Sequence, residues 1–307
     1  MSLLKKWHFW AKMLDALNPK KYIGKYAPDE VGRFYDQHTD HFLQIYGEVI
    51  QAFRSTDVGQ LLAYEADAMK LKPGMRVLDA GCGVCGPAIW FARHFGVCVE
   101  AITISNVQAL KSRNNIDEKC LSHLVSVMQG DYHQLSSHYA PQSFDVVYFL
   151  ESFGHAQNHA QVLNEVWKIL KPGGLLYIKD LFEREALLPE QVPNIAREIK
   201  KINEGYRYHI ADLYHIIRCI RQRGFVLSEL KTIDLPLEEF ENLAISNIFQ
   251  EVFDIARIEN WKEYIFPVDF FELKCLKPLN DIQFGNNKYF LQNHYYMQTQ
   301  GRRQEDL

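Results

Sequence analysis

The sequence predicts an α/β fold built on a parallel, doubly wound sheet, and two observations predict it. An apolar run, Arg76-Val77-Leu78-Asp79-Ala80, ends in an acid and leads directly into Gly81, Gly83 and Gly86. That is how a buried parallel strand gives way to a helix, with the backbone left bare so that a nucleotide-like ligand can approach closely. Beyond it, short apolar runs alternate with segments of helical periodicity, the pattern of successive βαβ units.

The elements follow in order. Residues 1–30 are basic and aromatic, with Lys5, Lys6, Trp7, Phe9, Trp10 and Lys12. Such an arm packs on its own domain or on a neighbouring subunit, or lies on a membrane surface as an amphipathic helix. Val31, Phe34, Tyr35, His38, Phe42 and Ile45, and then Val49, Ile50 and Phe53, recur at helical spacing, so two or three helices are expected over 29–69. Leu71-Lys72-Pro73-Gly74 is a turn into the first strand, over 76–79. Helices are expected over 87–95, 106–115 and 160–170, and further strands over 97–104, 124–128, 144–150 and 175–180. More helix fills 185–225, a sixth strand 225–233, a long helix 238–264, a last strand 270–276 and a polar tail 280–307. There is no internal repeat and no low-complexity segment.

Composition narrows the class. The 307 residues suffice for one large domain or a core with a substantial cap. A formal net charge of -4 argues against a nucleic-acid backbone as the main partner. Cys82 and Cys85 form a C-x-x-C, but no second pair or histidine partners stand at ligand spacing, so they read as small residues of the glycine loop and no metal site is expected. No run of 18 apolar residues and no secretory leader is seen, so a soluble, reduced, cytoplasmic protein without stable membrane insertion is expected.

Four more segments follow the glycine loop: Thr103-Ile104-Ser105-x-x-Gln108, Gly130-Asp131-Tyr132, Phe144-Asp145-Val146-Val147 and Leu170-Lys171-Pro172-Gly173-Gly174. In this order, over roughly residues 60–180, the chain resembles the class I S-adenosylmethionine (SAM)-dependent methyltransferases. The resemblance implies a Rossmann-like, seven-stranded sheet whose last strand is antiparallel. It implies an N-terminal helical arm and cap over 1–65, a SAM-binding core over 66–180 and an inserted helical lid over 181–224. The core sheet would be completed over 225–280, with a tail over 281–307. It further implies that Gly81 and Gly83 face the amino-acid part of SAM, that Asp79 orients the loop or the ammonium group, and that Asp131 accepts from the adenine with Tyr132 beside it. Arg33-Phe34-Tyr35-Asp36 resembles the motif through which a tyrosine, here Tyr35, closes over SAM.

The second strand ends without an acid. Thr103, Ser105 and Gln108 stand where most dinucleotide and SAM folds place Asp or Glu on the ribose, and neutral Thr and Gln can still bond a diol. This counts against a nicotinamide dehydrogenase. It resembles the subgroup that methylates carbon: cyclopropane fatty acid synthases, sterol C-methyltransferases and prenyl diphosphate C-methyltransferases.

Phe149-Leu150-Glu151-Ser152-Phe153-Gly154-His155 places a carboxylate directly after an apolar strand. Methyl transfer to an alkene carbon makes a carbocation, which a desolvated carboxylate stabilises and deprotonates. Sterol and prenyl diphosphate enzymes carry a glutamate at this point, which implies that role for Glu151; the alternative is that Glu151 holds the SAM ammonium or a helix N-terminus. His155 assists the base, bonds a phosphate or is structural. In the lid segment, Arg197, Lys200, Lys201, Arg207 and His209 are candidates to neutralise a diphosphate, directly or around Mg²⁺, against a plain solvated helix face. Tyr206 and Tyr208 offer cation-stabilising faces or core packing. Phe153, and Tyr46 in the segment Ile45-Tyr46-Gly47, join the candidate substrate wall. The expected activity is C-methylation of an isoprenoid diphosphate, linear or cyclising, in a homo-oligomer or a monomer. The alternatives are a sterol, fatty acyl or small amine acceptor, or a SAM-binding scaffold without catalysis.

Overall fold

The computed structural model describes residues 22–53, 57–235 and 264–279. The N-terminal arm before residue 22, nearly all of the helix expected over 238–264 and the tail beyond 279 lie outside the described residues.

Seven strands form one sheet: β1 Arg76–Ala80, β2 Cys98–Thr103, β3 Val125–Gln129, β4 Phe144–Leu150, β5 Leu170–Glu183, β6 Val226–Thr232 and β7 Val268–Leu276. Their order is β3-β2-β1-β4-β5-β7-β6. β1 to β5 pair in parallel, whereas β7 runs antiparallel between β5 and β6. The order reverses between β1 and β4, so the cleft outside their carboxyl ends is where such a sheet takes a ligand. The described α-helices are α1 Pro28–Tyr46, α2 Val58–Met69, α3 Gly86–Phe95, α4 Asn106–Glu118, the single turn α5 Leu135–His138, α6 His159–Ile169, α7 Val192–Tyr206 and α8 Leu213–Arg223. α2 spans the boundary drawn at residue 65 between cap and core.

The central strands are largely apolar because both faces are covered. Leu78, Val147, Phe149 and Ile178 face a core shared with α6 and α8, while Val77, Val146, Tyr148 and Tyr177 face one shared with α2 and α3. Several of the described helices, α2, α4 and α6 among them, start on side-chain caps. Asp57 accepts from Gly59 N at 2.7 Å, Asn158 from Gln161 N at 3.1 Å and Ser105 Oγ from Gln108 N at 3.1 Å. Among the described residues, no helix is long and apolar enough to cross a membrane.

Three expectations change. Val49, Ile50 and Phe53 do not form a helix: α1 stops at Gly47, whose φ of 66° suits glycine, and the N–H groups of Ala52 and Phe53 are given to a carboxylate across the cleft. The segment expected as helix over 185–225 is two helices, parted where Arg207 turns left-handed at φ 54°. β5 starts at Leu170, because Phe144 pairs with Leu170 before a bulge shifts the register.

Candidate active site

At the carboxyl ends of β1, β2 and β4 a cleft encloses about 830 Å³, part of it open to solvent. Gly81 and Gly83 form its floor. Gly81 has φ 94°, and a Cβ there would lie 2.5 Å from Ser152 Cβ, so only glycine fits. The Ser152 hydroxyl ties this crossing by donating to Ala80 O at 2.6 Å. Asp79 closes the strand beneath the loop, 3% exposed, and its Oδ2 has no hydrogen-bond partner among the described residues. Burial pushes its carboxyl up to about 7, only partly offset by the nearby Tyr148 hydroxyl. A buried carboxylate with an open oxygen fits a cationic amino group. The ammonium of an amino acid meets that requirement, and the bare glycine backbone leaves room for it.

The other cofactor candidates come from neighbouring strand ends. Thr103 donates to Gln108 Oε1 at 2.7 Å, leaving the Gln108 amide group to bond a ligand, and both line the cleft. Asp131 and Tyr132 line it too; Tyr132 OH donates to Ser152 O at 3.0 Å. Asp131 also accepts from His133 N at 2.8 Å and sits 2.6 Å from His133 Nδ1. Burial alone would raise its carboxyl, but these contacts hold it below the usual carboxylate range. Ser105 lies apart, at the start of α4, where it donates to Asp36 of α1 at 2.6 Å.

α1 roofs the cleft with Pro28, Val31 and Tyr35. Tyr35 OH lies 2.8 Å from His155 Nε2, and His155 Nδ1 lies 3.2 Å from Arg207 O. A carbonyl only accepts, so Nδ1 carries the ring proton and Tyr35 donates to Nε2. Burial pushes His155 down to about 4, leaving a neutral imidazole in the wall. Tyr208 packs edge-on to that ring at 4.2 Å and gives its hydroxyl to Asp180, which also accepts from Gly154 N at 3.1 Å. Burial raises Asp180 to about 7.

Glu151 stands at the end of β4 with φ 55°, a left-handed conformation that a non-glycine residue holds only at a cost. Its N–H donates to Lys179 O at 2.7 Å. Its carboxylate accepts from Ala52 N, from Phe53 N at 3.1 Å and from Lys179 Nζ at 2.6 Å. Lys179 is fully buried and also lies 3.4 Å from Glu65 Oε1 and against Gln51 Oε1. Burial alone would lower Lys179, but Glu151 and Glu65 outweigh it and hold the ammonium on. Burial raises Glu65 to about 7. Lys179, Glu65 and Gln51 were missed in the sequence.

The remaining candidates lie outside the cleft. Tyr46 packs with Phe42 and Tyr206 beneath the cap, and Phe153 lies in the core between Phe149 and His159. Tyr208 reaches the cleft lining through its ring contact with His155. His209 Nδ1 lies 3.3 Å from Ala156 O, with its ring on His159 at 4.8 Å. The Arg207 guanidinium covers Tyr26 and Phe34 at 5.0 and 5.7 Å. Arg197 and Lys201 lie on the outer face of α7, both paired with Glu198 at 3.1 and 2.9 Å. The cleft wall carries Glu48, Asp79, Asp131 and Glu151 and, among the described residues, no Lys or Arg. Nor does any described cluster of three or more His, Cys, Asp or Glu suit a metal ion.

The family described as "Methyltransferase domain" matches residues 78–178. The chain is 36% identical to 24-methylenesterol C-methyltransferase 2 of Oryza sativa subsp. japonica over 140 residues, 46% of this chain and 38% of that protein. It thus spans well under two thirds of that relative. Among solved structures, the [4+2]-cyclase SpnF superposes with a TM-score of 0.69 at 21% identity, over 84% of this chain and 99% of that one. Geranyl diphosphate C-methyltransferase from Streptomyces coelicolor A3(2), in complex with Mg²⁺, geranyl diphosphate and S-adenosyl-L-homocysteine, superposes with a TM-score of 0.60 at 13% identity, over 81% and 98%. At these identities the two structures establish the fold.

Proposed function

We infer that this chain, a class I SAM-dependent methyltransferase, moves the methyl group of SAM to an alkene carbon of an isoprenoid, with Glu151 as counter-ion and base. The observation that carries this is Glu151 itself. It is a carboxylate held left-handed in the cleft wall, with both oxygens fixed, beside the glycine loop. SAM supplies an electrophilic methyl group on a positively charged sulfur. The open oxygen of Asp79 takes its ammonium, Gly81 and Gly83 give backbone room, Thr103 and Gln108 face the diol, and Asp131 with Tyr132 flanks the adenine.

The acidic wall suits positive charge at each stage, first that of the cofactor and then that of the alkylated alkene. Glu151 then takes a proton from the carbon next to the cation, and the C–H electron pair closes the new alkene. His155 is neutral and tied to Tyr35 and Arg207, so it shapes the cleft without adding charge.

The acceptor placed first is a prenyl diphosphate. Glu151 and the fold shared with the geranyl diphosphate enzyme support it. Since no described cation lines the cleft, the hydrocarbon would occupy it and the diphosphate would extend beyond, with Mg²⁺ entering as part of the substrate. A product assay tests this. The protein, SAM and Mg²⁺ are mixed separately with isopentenyl, dimethylallyl, geranyl and farnesyl diphosphates and with a side-chain-unsaturated sterol. Dephosphorylated extracts go to mass spectrometry, and fragmentation separates linear from cyclised products. A gain of one methylene on a diphosphate supports the reading. A gain on the sterol alone moves the acceptor to sterols. No product from any of them, with SAM bound by calorimetry, overturns the isoprenoid assignment in favour of acyl or amine acceptors.

A further inference from the structure

Glu151 does not act on the cleft alone. A buried salt bridge needs one carboxylate, yet Lys179 has two. Its Nζ lies 2.6 Å from Glu151 Oε1 and 3.4 Å from Glu65 Oε1, and the three side chains are 0%, 4% and 0% exposed. Glu65 is poised without being fully used. Among the described residues its Oε1 makes no aligned hydrogen bond, while Oε2 accepts a long 3.4 Å contact from Gln51 Nε2. Gln51 also accepts from Lys179, so one amide touches both partners. Glu65 sits on α2, fixed by the buried Leu61, Leu62 and Ala66. Its place opposite Lys179 is therefore set by packing and not by a mobile surface side chain.

We propose that Lys179 and Glu65 are positioning residues for proton capture at Glu151, Lys179 fixing the carboxylate before methyl transfer and Glu65 becoming the counter-ion of Lys179 once Glu151 is protonated. This rests on the C-methylation reading above. The charges show why a second carboxylate is needed. When the C–H bond beside the carbocation breaks, its electron pair forms the alkene and its proton forms an O–H bond on Glu151. Without Glu65, Lys179 would then be a fully buried ammonium facing the neutral Gln51 amide and no anion among its described partners, a state that opposes the step. With Glu65 in place the ammonium keeps an anion within reach, and the proton passes from Glu151 to water after the product leaves.

The test uses Glu65→Gln and Glu65→Asp in the full chain. SAM affinity is measured by calorimetry. Turnover is measured with the acceptor found in the product assay, unlabelled and deuterated at the carbon that loses the proton. The expected result for Glu65→Gln is unchanged SAM affinity, a kcat lower by at least about tenfold and a primary deuterium effect on kcat that the parent protein lacks. Glu65→Asp, with the same charge one methylene further back, should show a smaller loss and a partial isotope effect. It decides the matter alone if Glu65→Gln does not fold. Unchanged kcat in the folded variants, or slow turnover without a new isotope effect, overturns the proposal, since a purely structural role leaves proton removal as fast as before. Methylation on nitrogen or oxygen instead overturns the reaction reading, and appears in the products before any variant is made.

Discussion

If Asp79 takes the ammonium group of SAM as proposed, SAM binding is a proton-linked event. The Asp79 carboxyl, in the cleft lining, is pushed up to about 7 by burial, and its buried Oδ2 has no hydrogen-bond partner among the described residues. The folded-state value lies above the unfolded one, so the folded protein alone binds the extra proton. The stability this contributes is complete below the unfolded value near 4 and is lost as the pH rises through about 7. The ammonium of SAM needs the ionised form, so binding below neutrality must release that proton. At a pH of about 5.5 the carboxyl is mostly protonated, against about half at pH 7, which weakens binding roughly tenfold. Calorimetry at both pH values, in buffers of different ionisation enthalpy, gives the affinity and counts the protons released. Asp79→Asn should bind more weakly and lose the pH dependence. Equal affinity at both pH values, heats independent of buffer, or an Asp79→Asn variant with the parental pH profile would refute the reasoning.

Glu151→Gln should keep SAM binding and lose alkene methylation by about 10²-fold or more, as read by product formation. Lys179→Met leaves two buried carboxylates without their cation, a loss of about 3–5 kcal/mol that thermal melting should report as a midpoint lower by about 10 °C. An unchanged melt would mean that the ion pair is not formed. Gly81→Ala forces a side chain into left-handed backbone at about 1–2 kcal/mol and drives its Cβ into Ser152, so SAM affinity in calorimetry should fall by more than about tenfold.

The glycine loop, the succession of strands and helices up to β5 and the acid ending β4 were legible because each is a local pattern. Gly81 follows an apolar run directly, and Glu151 breaks one. The anchoring of Glu151 was not legible, because its partners meet only in three dimensions; Lys179 and Gln51 lie 128 positions apart. A signal was nonetheless present. Lys179-Asp180 puts two charges at the end of an otherwise apolar parallel strand, and buried charges need partners. The basic residues of the lid show the opposite case. Lys201 stands one turn from Glu198 and Arg197 next to it, and both pair with that acid, so their charge is spent on the surface of α7. The 49–53 segment has helical spacing but uses its N–H groups as ligands for Glu151, a tertiary demand that periodicity cannot show.

Asp36 belongs to α1, yet it accepts from Ser105 Oγ and from Val107 N at 3.0 Å, at the first turn of α4. The roof is thus also a rivet. Lifting α1 off the cleft unseats a backbone donor of the sheet's own helical layer, and it breaks the Tyr35–His155 contact at the other side of the cleft in the same motion. The roof therefore does not swing as a door on a passive frame. It shares the frame's bonds, so admitting or releasing a ligand from that side loosens part of the wall that the ligand leans on.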